Sequence, residues 1–354
     1  MTASLLNSSE YRLPFINTSH RVTFERYLVS NKGWEVRFST IELLVRIALM
    51  HYLRPLYPGL LCWALILSTS NFSHLGLVNG MGQLVLFLLV VCLPIWRTGR
   101  MSYVDIAWPW GLVLLGIISF FLSEGYWPRS LIVSAIVVLV GLRMGLGALK
   151  MWWSGLLKKE LPRYQYQRIR WADEGKNNTA LALQVDAISQ GLANASFLAL
   201  PVFIIASNSS QQIFLLELLG FVIWILAFAM ESAADFQKLR FLQKMRAAGK
   251  KRQVCNVGLW KYCRHPNYFA EWMVWNGLLV AAIPSWLSLR DFESDGVWLL
   301  LGLGLVFASR AMYVTLVYST GAVPSEYFSA QKRPDYAGYQ QQTNRFFPGP
   351  SKLQ

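Results

Sequence analysis

Eight apolar runs, at 58–71, 81–96, 104–122, 130–149, 187–208, 212–232, 268–288 and 297–318, punctuate the 354-residue chain. A helix needs roughly 20 such residues to cross about 30 Å of hydrocarbon, and only helices or closed barrels can satisfy their backbone polar groups there. The runs predict an all-α, polytopic integral membrane bundle of about seven to eight spans. Hydrophobic residues make up 54% of the chain and charged residues 15%, a balance that argues against two or three soluble domains in spite of the length.

The charge pattern predicts the topology. Lys and Arg number 7, 2, 7, 9 and 4 in the segments 1–57, 97–103, 150–186, 233–267 and 319–354. The intervening connections 72–80, 123–129, 209–211 and 289–296 hold 0, 1, 0 and 1. Basic loops stay on the cytoplasmic side, so both termini and the two long basic loops are predicted to be cytoplasmic. The same rule accounts for the net charge of +14 without nucleic acid. Bacterial inner membrane and endoplasmic reticulum both suit this pattern.

Residues 1–57 read as a cytoplasmic tail with an amphipathic interfacial helix, "IELLVRIALMHYL", and 58–354 as the bundle. The first run is the shortest. The amino terminus lacks a basic region followed by an apolar one, so no cleaved signal is expected. Four cysteines and four histidines form no ligand-spaced cluster, and no metal site is expected.

Polar residues at the membrane boundary carry the functional information. Asp105, Arg143 and Arg310 fall in or beside apolar runs, where an unpaired charge costs at least about 2.5–3.5 kcal/mol, so partners or a hydrated cavity are expected. For the two arginines the alternative is snorkelling to the nearer face; for Asp105 it is a favourable charge at a helix start. Aromatic and basic residues alternate through 150–186, which suits either a headgroup anchor or a cytoplasmic lid. Glu231 and Asp235 share a helix face, and their repulsion calls for something between them: a hydroxyl-rich ligand, or Lys238 and Arg240. The following basic stretch, with Lys250, Lys251 and Arg252, suits anionic lipid or a phosphate-bearing cofactor.

In "RHPNYFAEW", Pro266 marks a helix start, where free backbone donors beside Arg264 and His265 make an anion site. Asn267 and Glu271 then project from one face of the entering helix. This stretch reads as a grip on a ligand whose charged part stays outside while its other end enters the bundle.

These residues resemble a known family. "ESAADFQKLRF", "GLWKYCRHPNYFAEWMVW" and "GAVPSEYFSAQKRPDYAGYQQQTNRFFP" are similar to the carboxyl-terminal half of the steroid 5-alpha-reductase superfamily, in its branch with the domain of unknown function 1295. The likeness extends upstream to "SYVDIAWPWG", "GLRMGL", "ELPRY" and "QGLANASFLALP", covering roughly residues 80–348. It implies a helical membrane reductase that takes NADPH from the cytosol and delivers hydride to a polarised C=C bond of a lipid-like substrate, such as a steroid or isoprenoid enone. The cofactor-binding half would be 212–348, with Glu231, Asp235, Trp260, Asn267, Glu326, Arg333, Tyr336 and Tyr339 at the cofactor and Lys238, Arg240, Arg252, Arg264 and His265 as further candidates. Asp105, Tyr268 and Glu271 are the catalytic candidates on the substrate side. The carbonyl-polarising Glu and Tyr of the mammalian steroid enzymes find no counterpart here, so steroid specificity is not implied. The Arg-His-Pro-Asn-Tyr stretch also resembles isoprenylcysteine and phospholipid methyltransferases, which use S-adenosylmethionine. No glycine-rich dinucleotide fingerprint follows a strand pattern, and no Rossmann domain is expected.

Overall fold

A computed structural model describes residues 49–352. The expected polar tail and most of the amphipathic stretch at 41–53 lie outside the described residues. The compact unit His51–Gln354 is helical throughout its described part, with no strand among the described residues.

Its described part holds α1 (Tyr57–Leu67), α2 (Ser73–Phe87), α3 (Val104–Leu122), α4 (Trp127–Trp153), α5 (Pro162–Asp173), α6 (Thr179–Ala195), α7 (Ala199–Ala206), α8 (Leu215–Ala247), α9 (Pro266–Ser288), α10 (Asp295–Val314), α11 (Ala322–Lys332) and α12 (Tyr336–Gln342), besides the short helix Leu93–Thr98, which continues α2 through a π-turn at Leu88–Cys92. Among the described residues, seven helical stretches are long and apolar enough to cross a membrane: Ser73–Thr98, Met101–Leu122, Trp127–Trp153, Thr179–Ala206, Leu215–Ala247, Pro266–Asp291 and Asp295–Lys332. The chain is a multi-pass integral membrane protein.

The first expected span is the exception. Its helix α1 has only 11 residues and follows a 3-10 turn at Arg54–Leu56, with Pro55 inside the turn and Pro58 in the first turn of the helix. Yet this broken helix runs between opposite ends of the bundle. Tyr52 accepts a hydrogen bond from the Asn178 backbone (2.9 Å), in the basic connection before α6. Ser70, just beyond α1, donates backbone and hydroxyl to Glu293, both at 2.8 Å, in the turn before α10 that holds a single basic residue.

A second difference lies at 72–80, expected as a connection but found inside α2. Its Asn79 side chain is buried and donates to the Asn194 carbonyl (3.1 Å), and one turn further on the buried Gln83 donates to the Gly111 carbonyl (2.7 Å). Paired amides of this kind can lie at membrane depth, whereas hydropathy counts them as polar.

At the end poor in basic residues, Arg129 and Glu217 form an ion pair with no exposed side-chain surface. The guanidinium also donates to the carbonyls of Asn208, Ser210 and Gln212, tying α4 to the chain that enters α8. The closest helix contact is between α8 and α9, where small residues let the backbones meet. A Cβ on Gly277 would stand 2.7 Å from the Trp224 nitrogen, and one on Gly220 would stand 2.3 Å from the Ala281 nitrogen. This contact fixes the register between Asp235 on α8 and Asn267 on α9.

Candidate functional site

At the basic end the helices part around a cavity of about 510 Å³. Asp105 from α3, Arg143 from α4, Asp235 from α8 and Tyr268 and Glu271 from α9 line it. A π-turn over Thr315–Ser319, continuing α10, adds Thr315. The structure thus brings all three catalytic candidates to one space.

Glu231 and Asp235 share a face of α8 as their spacing required. The group between them is Arg143, not Lys238 or Arg240. Its fork bonds the Glu231 carboxylate with one nitrogen and the Asp235 carboxylate with the other, at 2.5 Å for the latter. Arg143 thus has the partners expected of a charge in an apolar run. Asn267 completes the chain by donating its amide to Asp235 (3.1 Å). Its own carbonyl oxygen is buried and has no partner among the described residues, which matters because such groups are almost always bonded to something.

Asp105 accepts from Arg163 (2.5 Å) and from the Tyr164 hydroxyl (2.6 Å), both on α5. Burial, with the Asp105 carboxylate beside it, pushes the Tyr164 phenol well above its ordinary value, so it stays a donor. The connection 150–186 is therefore divided. Trp152 and Trp153 are exposed, as interface anchors would be, while Tyr164 and Trp171 are buried and α5 closes part of the cavity wall. The partners of Asp105 were not singled out in the sequence, since 58 residues separate it from Arg163.

Glu271 and the Tyr268 hydroxyl differ from the other lining groups. Neither has a hydrogen-bond partner among the described residues, and both face the cavity. The Tyr268 ring stacks on His265, with centroids 5.4 Å apart and planes within 4°.

The expected anion site beside Arg264 needs correction. The Arg264 side chain is buried and occupied: it forks onto Glu326 (2.7 and 3.2 Å) and donates to the carbonyls of Gln340 and Thr343. His265 and Gln340 also bond Glu326, each at 3.1 Å. Tyr339 donates to the Trp260 carbonyl (2.5 Å) and packs edge-on against Tyr336. Arg264, His265, Glu326 and Tyr339 thus bind the carboxyl-terminal segment to the head of α9, and their polar atoms are spent on that closure. Burial, with Lys238 and Arg264 nearby, holds the His265 imidazole below its ordinary value.

The remaining basic candidates separate. Lys238 lies 4.3 Å from the Trp260 ring centroid, and the Trp260 indole donates to the Ala234 carbonyl (2.9 Å). Arg333 bonds Ser329 (2.7 Å). Arg240 instead stacks on exposed Phe236 (4.6 Å), on the outer face of α8, and Arg252 sits exposed in the following loop. None of the four cations lines the cavity.

The family model described as "Protein of unknown function (DUF1295)" matches residues 91–343. No curated protein and no solved structure matches the chain.

Proposed function

Because the chain belongs to the DUF1295 family of membrane proteins, we propose that it is an NADPH-dependent reductase of a polarised C=C bond in a lipid-like substrate, working at the basic end of its bundle. That end is assigned to the cytosol on its Lys and Arg content. The observation that carries the reading is the Asn267 carbonyl oxygen, buried without a partner on the helix face it shares with Glu271. A carboxamide or ribose hydroxyl of the nucleotide would supply the donor it lacks.

The residues fit such a cofactor. Asn267, Asp235 and Glu231 are held in one hydrogen-bonded row by Arg143. Lys238, which feels the charges of both Asp235 and Arg333, and Arg333 itself are the candidate cations for phosphate charge, in place of the occupied Arg264. Bound NADPH would supply hydride to the electron-poor carbon of the alkene. The chain's own contribution is position, exclusion of water and a proton donor. Glu271 and Tyr268, free of internal partners, can present a proton to the carbonyl oxygen or to the adjacent carbon where charge develops. Between helices that donor acts in a poorly screened setting, where such stabilisation is worth most. Asp105, tied to Arg163 and Tyr164, orients α5 and is not itself a free acid.

Calorimetric titration of the purified protein with NADPH tests the reading. Saturable binding is expected, weakened about tenfold or more by Asn267→Ala and by Asp235→Ala, as loss of a bond to a charged or buried group entails. Unchanged affinity in both variants rejects it. Stoichiometric binding of S-adenosylmethionine in place of NADPH would reassign the chain to membrane methyl transfer.

A further inference from the structure

A second cavity of about 510 Å³ lies against the first. Trp108, Arg163, Tyr164, Gln190, Met312 and Thr315 line both. Two irregularities shape its walls: the broken helix at Pro55 and Pro58, and the π-turn Thr315–Ser319. Single π-turns inserted in α-helices occur often at functional sites.

The lining has two parts. Phe197, Leu198 and Phe307 form an apolar wall, and Asp186 from α6 stands in a polar region. Arg170 and Lys176 also line the space, but both turn to Glu174, at 3.9 and 3.0 Å. Asp186 is left with no ion pair among the described residues. Its carboxylate receives only a long contact from Gln190, at 3.4 Å. A carboxylate in such a setting calls for a donor.

We propose that this second cavity is the substrate chamber and that Asp186 receives the hydroxyl of a neutral lipid alcohol whose apolar body lies along Phe197, Leu198 and Phe307. The word substrate rests on the reductase reading; the lipid site does not. Four cations line the chamber (Arg163, Arg170, Lys176 and Arg310) against two acids, Glu174 and Asp186. That excess disfavours an ammonium head, and direct contact with Asp186 disfavours a carboxylate. A hydroxyl supplies the donor without either charge. The volume suits a molecule of drug or lipid size, for which pockets run from about 300 to 1,000 Å³. The wall shared at Trp108 and Tyr164 places this molecule next to the space that holds Tyr268 and Glu271.

The test measures binding of tritiated farnesol and tritiated cholesterol to the purified full-length protein without NADPH. Competitors are the matching hydrocarbons farnesene and cholestene, with farnesylamine and farnesoic acid. At least one alcohol is expected to bind saturably, and its hydroxyl-free counterpart about tenfold more weakly, the difference expected of one hydrogen bond to a charged group. Asp186→Leu is expected to abolish that discrimination, while Asp186→Asn, which keeps a carbonyl acceptor, retains it within about threefold. The proposal is overturned if neither alcohol binds, if hydrocarbon and alcohol bind alike to the unmodified protein, or if the amine or acid binds more tightly. Alcohol binding without NADPH binding would keep the lipid site and remove the reductase reading; NADPH binding without alcohol binding would do the reverse.

Discussion

Arg129 and Glu217 meet through two hydrogen bonds, of 2.7 and 3.2 Å, with neither side chain exposed. The pair sits at the end of the bundle away from the site and joins α4 to α8, the two helices that carry Arg143 and Asp235. Removing one member of a buried pair leaves an uncompensated charge, at a cost of about 3–5 kcal/mol. Arg129→Met is therefore expected to lower the thermal unfolding midpoint sharply in detergent. The double variant Arg129→Met with Glu217→Leu should recover part of the loss. Recovery should stop short of the unmodified protein, because the carbonyls of Asn208, Ser210 and Gln212 lose their donor as well. A single variant as stable as the parent would show that the pair is not closed in the membrane.

Arg143 is the one cation placed between Glu231 and Asp235. Arg143→Gln leaves two like charges on one face of α8 and frees Asn267 from a fixed partner. NADPH affinity is expected to fall about tenfold or more, with a smaller loss of thermal stability than at Arg129, since the Arg143 side chain is 22% exposed. Arg143→Lys should not restore binding, because a single nitrogen on a flexible stem does not reproduce the planar fork whose two separate nitrogens reach Glu231 and Asp235. Isothermal titration of the three proteins decides the matter.

Spans such as α3 and α9 were legible because their apolar runs coincide with whole helices. The beginning of α2 was not, since Asn79 counts as polar until its buried partner is known. At the site, the four-residue spacings of Glu231 with Asp235 and of Asn267 with Glu271 fixed which side chains share a face. The group that unites them was out of reach: Arg143 is 88 residues from Glu231, and no local pattern joins them. The helix start at Pro266 was likewise readable, but the commitment of Arg264 to Glu326, 62 residues on, was not. Local periodicity records faces, while partners across the bundle depend on packing.

His265 gives the closure of the carboxyl-terminal segment a pH dependence. Its folded value lies below the ordinary 6.5 because of burial, with Lys238 and Arg264 adding to the effect and Glu326 opposing it. Between the two values the unfolded chain binds a proton that the folded chain does not. Acidification through that window therefore favours unfolding, and the imidazole contributes no penalty above about 6.5. The neutral ring donates Nε2–H to Glu326 while stacked on Tyr268. The unfolding midpoint is expected to fall as the pH drops below about 6.5, and His265→Gln should show a shallower decline. Carboxylates titrate in both proteins, so the difference between the curves isolates the imidazole. Parallel curves would mean that His265 is not buried as described.

Cys263 reports directly on the same closure. Its thiol is buried and donates to the Phe346 carbonyl at 2.9 Å, and Phe346 packs against Phe269, Trp272 and Tyr313. Burial pushes the thiol from 9.0 up to about 11, which lowers the reactive thiolate fraction near neutral pH about 100-fold, before access is considered. Maleimide labelling of Cys263 is therefore expected to be slow in the folded protein. Phe346→Ala, which loosens the segment without touching the thiol, should accelerate it by at least about tenfold. If NADPH packs beneath this segment, saturating NADPH should slow labelling further in the parent protein. Rapid labelling of the parent would place the segment away from α9 and remove the support that Glu326 gives to Arg264 and His265.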